Sequence, residues 1–131
     1  MKRLPMRLAM LAALTTLAAP ISAFAAATDY TFEPVKSDVK NGAGSTLAVR
    51  LVHKPTGKPV EGAVLFRTRL DMSPGGMGEM LAKHTAMSAT EPGVYAFKAD
   101  FTMAGGWAFK LQAKVPGEAE TVDGTVIFQA K

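Results

Sequence analysis

Apolar and polar residues alternate in short runs closed by proline or glycine, and this period of two restricts the fold more than any other feature of the chain. Tyr95, Phe97, Ala99 and Phe101 fall on one side of an extended segment, with Val94, Lys98 and Asp100 on the other. Trp107, Phe109, Leu111, Ala113 and Val115 likewise oppose Lys110, Gln112 and Lys114. A strand turns successive side chains to opposite faces, so each run builds one buried and one wet face. Leu47, Val49 and Leu51 mark a strand over Thr46–His53, and Val122, Val126 and Phe128 mark the last one. The segment from Ala63 to Met72 reads as a strand with Val64, Phe66 and Leu70 inward and Arg67, Arg69 and Asp71 outward. A weaker strand covers residues 29–36. Turns are expected at Asn41–Gly44, Lys54–Pro59, Ser73–Gly78, Glu91–Gly93, Ala104–Gly106 and Pro116–Gly117. About seven strands in roughly 100 residues predict an all-β, immunoglobulin-like sandwich. Residues 79–89 fit either a helical turn or a strand. Tyr95 and Trp107 read as core aromatics.

The N-terminus has a different character. Met1-Lys2-Arg3 is followed by an almost wholly apolar run from Leu8 to Ala19, which closes at Ala23-Phe24-Ala25, the small-residue pattern of a signal-peptidase site. The run is shorter than the ~20 residues a bilayer requires. Residues 1–25 are therefore expected to be a cleaved signal peptide, and residues 26–131 one exported, periplasmic domain with no stable membrane insertion. Cleavage removes Lys2, Arg3 and Arg7, so the 15 basic residues fall to 12 against 11 acidic ones. The mature chain is close to neutral, its cations are scattered among acidic residues, and a nucleic-acid partner is set aside. The chain has no cysteine. Stability has to come from a hydrophobic core, and thiolate is absent from any metal site.

Methionine is the compositional anomaly. Past residue 25 it occurs at Met72, Met77, Met80, Met87 and Met103, four of them within one short stretch that also contains His84. If strands run up and down, the third and fifth end at the same edge of the sandwich, which brings the loop carrying Met77 and Met80 to the turn after Met103. His53 falls at the opposite edge. Thioether sulfur with imidazole suits Cu(I), which tolerates low coordination numbers and needs no anionic ligand. Met72, Met77, Met80, His84 and Met103 are thus the candidate metal ligands. The bland alternative is that methionine fills gaps in a core: Met72 and Met103 both fall on the inward parity of their strands. Met77 fits that alternative less well, lying in Gly75-Gly76-Met77-Gly78, where no regular core face exists. In a helix, Met77, Met80, His84 and Met87 would share a face; in a strand, Met80 and His84 share one side and Met87 takes the other. An enzyme is not expected, because the chain has neither a cysteine nucleophile, a G-x-S-x-G elbow nor an H-E-x-x-H pair.

The stretch from Gly62 to Val115 resembles the YtkA-like domain and, more distantly, the FixH-like proteins. The resemblance rests on Asp71-Met72, the Met- and Gly-rich loop through Met80, Pro92-Gly93-Val94-Tyr95, and Phe101-Thr102-Met103-Ala104-Gly105-Gly106-Trp107. It implies an immunoglobulin-like fold and an association with copper or heavy-metal handling, beside a membrane efflux system or in copper supply to a terminal oxidase. Two functions follow as expectations: an accessory protein that binds Cu(I) and passes it to a membrane partner, or a metal-free adaptor that uses the Met-rich edge as a protein-binding surface.

Overall fold

The computed structural model describes residues 27–88 and 91–131. The expected signal segment, residues 1–25, and the new terminus at Ala26 lie outside the described residues. Within them the alternating runs form ten strands: β1 (Tyr30–Pro34), β2 (Asp38–Val39), β3 (Gly42–His53), β4 (Lys58–Pro59), β5 (Val64–Met72), β6 (Met77–Leu81), β7 (His84–Met87), β8 (Val94–Phe101), β9 (Gly105–Lys114) and β10 (Val122–Ala130). One sheet has the order β1-β3-β8-β7, with β4 paired to β3; the other has the order β2-β10-β9-β5-β6. The result is a two-sheet β-sandwich. Its strands pair antiparallel except β2, which runs parallel to the end of β10 through Asp38–Gln129 and Val39–Ala130.

The core forms where the apolar faces of the two sheets meet. Leu47, Val49 and Leu51 of β3 and Phe97, Ala99 and Phe101 of β8 oppose Trp107, Phe109, Leu111 and Ala113 of β9 and Val122, Val126 and Phe128 of β10, all buried. Aromatic rings meet edge to face, with centroids 5.6 Å apart for Phe101–Trp107 and 4.9 Å for Phe97–Phe109. Gly124 is required by this packing, since a Cβ there would overlap the Phe32 ring.

Three strand expectations need correction. Asn41–Gly44 is not a free turn: β3 already begins at Gly42, and the glycines at 42 and 44, both at positive φ, flank a register break against β8. β5 does not keep one parity. Its register against β9 shifts between Phe66 and Arg69, and Arg67 takes φ +49°. The extra residue of this bulge turns Leu65 toward the core and leaves Val64 64% exposed, where the unbroken alternation put Val64 inside. Asp71 has the outward parity, yet it is 1% exposed. Ser73 N–H donates to its Oδ1 at 2.9 Å, while Arg69 Nε at 2.8 Å and Lys110 Nζ at 3.2 Å reach Oδ2. Burial pushes the Asp71 carboxyl up, but the Ser73, Arg69 and Lys110 donors together hold it well below the usual carboxylate range.

The segment beyond Gly76 is extended. β6 pairs with β5, the chain crosses at Ala82–Lys83, and β7 joins β8 in the other sheet. Two backbone bonds anchor the crossing: Ala82 N–H donates to Leu70 C=O and Asp100 N–H to Lys83 C=O. Tyr95 is more than a core aromatic. It is half-buried, and its hydroxyl donates to Val60 C=O at 2.8 Å and accepts from Ala63 N–H at 2.9 Å, which clamps the β4–β5 connection to β8.

Candidate functional site

β5 enters one end of the sandwich with its apolar parity restored after the bulge, so Met72 points into the core and is 2% exposed. Ser73–Gly75 then makes a single 3-10 turn, closed by Gly76 at φ +76° with its N–H on Ser73 C=O. That conformation suits glycine, which carries no Cβ to clash. The turn returns the chain so that Met77 becomes the cross-strand partner of Met72. Met77 is 38% exposed.

The turn between β8 and β9 arrives at the same end. A Cβ on Gly105 would lie 3.1 Å from Met72 Cε, so the bare glycine backbone is the wall against which the Met72 thioether lies. Met103, two residues earlier, is 41% exposed. Its carbonyl accepts the indole N–H of the fully buried Trp107 at 3.0 Å, which ties the turn to the core. Met72, Met77 and Met103 therefore share one rim, with Met72 inside and the other two reaching solvent.

The remaining candidates stand differently. Met80 is half-buried and packs against the core from β6. His84 opens β7 and is wedged against Phe109, with ring centroids 5.4 Å apart, and against Phe97 at 6.2 Å. Its Nδ1 lies 3.1 Å from Ala82 C=O, a group that only accepts, so Nδ1 carries the proton. Nε2 is hydrogen-bonded to the Thr68 hydroxyl at 2.7 Å. Both ring nitrogens are engaged, and a metal would have to displace Thr68. Met87 is exposed on β7 opposite Ala96. His53 lies at the other end of the sandwich, in contact with the Tyr30 ring and the Thr56 hydroxyl. Among the described residues no three His, Asp or Glu side chains assemble into a metal-holding group.

Gly105 is the part of the rim that the residue types did not mark. Its trace in the sequence is the Gly-Gly pair directly before Trp107, which reads as an ordinary turn. The approach of Met72 Cε and the backbone at φ +134° together disfavour a side chain there.

Comparison with known proteins matches a family model, described as YtkA-like, to residues 24–112. No curated protein matches the sequence. Among solved structures, a ZirS C-terminal domain superposes with a TM-score of 0.44 at 11% identity, covering 98% of this chain and 83% of that one.

Proposed function

The chain belongs to the YtkA-like family, and from that premise we propose that it is an exported, non-catalytic accessory domain that takes up Cu(I) at the methionine rim and hands it to a membrane partner. The observation that supports this reading is that Met72 and Met77 are cross-strand partners while Met72 Cε lies against Gly105, two residues from the exposed Met103. Methionines from two distant chain segments are then carried on adjoining turns at one edge of the sandwich, with Met77 and Met103 exposed and Met72 beneath. Soft, neutral sulfur donors favour Cu(I) over hard cations, and two exposed ligands above one buried ligand suit a cargo that has to be released. Met80 is a reserve donor on the adjacent strand. His84 is a wedge between the sheets, and the proposed ligands do not include it. Periplasmic residence is part of the same proposal and rests on the apolar, Ala-rich N-terminal run.

The test is competition for Cu(I) against a chromogenic chelator, using the processed chain. Replacing Met72, Met77 and Met103 together by Leu nearly conserves volume and costs less than ~1.5 kcal/mol per site. The triple variant is expected to stay folded and to lose competition, while His84→Gln competes like the wild type. A wild-type chain that competes no better than the triple variant ends the copper reading. The exposed Met77 and Met103 would then be understood as a pliable protein-binding edge.

A further inference from the structure

The outer face of β5, β9 and β10 carries a feature that the methionine rim does not use. Arg67 is the sole non-glycine residue at positive φ among the described residues, at +49°. Such a conformation is strained for a residue that carries a Cβ. Its side chain has no hydrogen bond or ion pair among the described residues; the guanidinium lies 5.9 Å from the Phe66 ring centroid. The strain is thus not offset by a polar contact within the protein, and the bulge aims an exposed guanidinium into a shallow groove of about 530 Å³.

Arg69 and Lys110 line the same groove, with Gln112, Asp123 and Thr125 on its far side. Arg69 and Lys110 share the buried Asp71 carboxylate, and Arg69 also donates to Gly78 C=O at 2.8 Å. These contacts hold the two cations in place and leave donors of both directed outward. Lys114 has the same outward parity at the end of β9 and forms no ion pair among the described residues. Four cations therefore stand on two neighbouring strands against the carboxylates of Asp71 and Asp123. Lys110 and Lys114 stand four residues apart on the regular stretch of β9, so their charges are separated by two repeats of about 6.6 Å, and Arg69 is the cross-strand partner of Lys110. An extended peptide with acidic residues at alternate positions has the same repeat.

We propose that this face is a docking groove for an extended acidic segment of a partner protein, with Arg67 as its principal anchor. A guanidinium that lies over the Phe66 ring but has no internal hydrogen bond or ion pair can take a carboxylate in bidentate fashion, and the fixed Arg69 and Lys110 receive the next one. Thr125 offers the peptide backbone a hydroxyl, and Gln112, whose Nε2 donates to Asp123 Oδ1 at 2.6 Å, offers its amide oxygen. The groove is independent of copper, so the two proposals stand or fall separately.

The probe is an acetylated octapeptide alternating Glu and Thr, titrated into isotopically labelled protein and followed by amide shifts, with a Gln–Thr octapeptide as control. Shifts are expected on β5, β9 and β10 for the Glu peptide only, and they weaken as salt is raised. Arg67→Gln is expected to weaken binding about tenfold, and Lys40→Gln, off the groove, to leave it unchanged. Arg67→Gly separates binding from folding: glycine takes φ +49° freely, so the melting temperature should hold or rise while binding is lost. Equal binding of both peptides overturns the proposal, as do shifts elsewhere on the molecule or unchanged binding in both Arg67 variants. Citrate or anionic phospholipid vesicles that bind the groove more tightly than the Glu peptide also overturn it, in favour of a general anion site.

Discussion

Replacing Tyr95 by Phe removes one oxygen and leaves the ring in place, so the clamp between β8 and the β4–β5 connection can be tested alone. The hydroxyl makes two bonds, donating to Val60 C=O at 2.8 Å and accepting from Ala63 N–H at 2.9 Å. Each contributes about 1 kcal/mol net, and a buried backbone group left without a partner costs about 1–3 kcal/mol. Val60 and Ala63 are only partly buried; water can recover some of the loss, which puts the sum near 2 kcal/mol. For a domain of about 100 residues this corresponds to a fall in Tm of roughly 8–15 °C. Tyr30→Phe is the control: that hydroxyl donates once, to Glu118 at 2.9 Å, and its loss should cost under about 1 kcal/mol. Thermal melts of the processed chain by circular dichroism decide the matter, together with amide exchange at Ala63, which should speed up in the Tyr95 variant. The pH dependence gives a second readout. Burial raises the Tyr95 phenol, Ala63 N–H pulls it partly back, and Glu61 raises it again. A folded-state pKa above the unfolded one contributes stability below about pH 10 that is lost as pH rises further. The gap between wild type and variant should therefore narrow in strong alkali. A Tm within about 2 °C of wild type, or a fall no larger than that of Tyr30→Phe, refutes the clamp.

Two further outcomes follow from the same packing. Asp71→Asn should lower stability by about 1.5–3 kcal/mol at pH 7, because Arg69 and Lys110 lose their shared anion. The native carboxyl lies below its unfolded value, so its contribution is present above about pH 4 and disappears as pH falls; denaturant midpoints of the two proteins should converge in acid, and a constant gap refutes the ion-pair account. Gly93→Ala should cost about 2–4 kcal/mol, since Gly93 sits at φ +73° and a Cβ would overlap Pro59 Cβ and lie 3.0 Å from Val60 N; an unchanged melting temperature would show that the β4 connection yields easily.

The sandwich and most of its inner face were legible in the residues because period-two alternation is a local property. Phe97, Ala99 and Phe101, and Trp107 through Ala113, face the core as their parity requires. Parity is informative only while the strand stays regular. The bulge at Arg67 has no mark in the sequence, and one extra residue exchanged Val64 for Leu65 at the core face. The segment from Met77 to Met87 was ambiguous for a related reason: its apolar residues satisfy a helical and an extended spacing alike, and pairing of β6 with β5 and of β7 with β8 decided between them.

By itself the sequence determined which residue types were available: sulfur and no thiol, an alternating pattern that has to form sheets, and glycines where the chain turns. Their arrangement was settled by contacts between residues far apart in the chain. Met72 lies against Gly105, and His84 has both nitrogens occupied because Thr68 and Ala82 meet it where the chain changes sheets. Such neighbours are set by hydrogen-bond register and by the filling of space between two sheets, neither of which is written in any one segment.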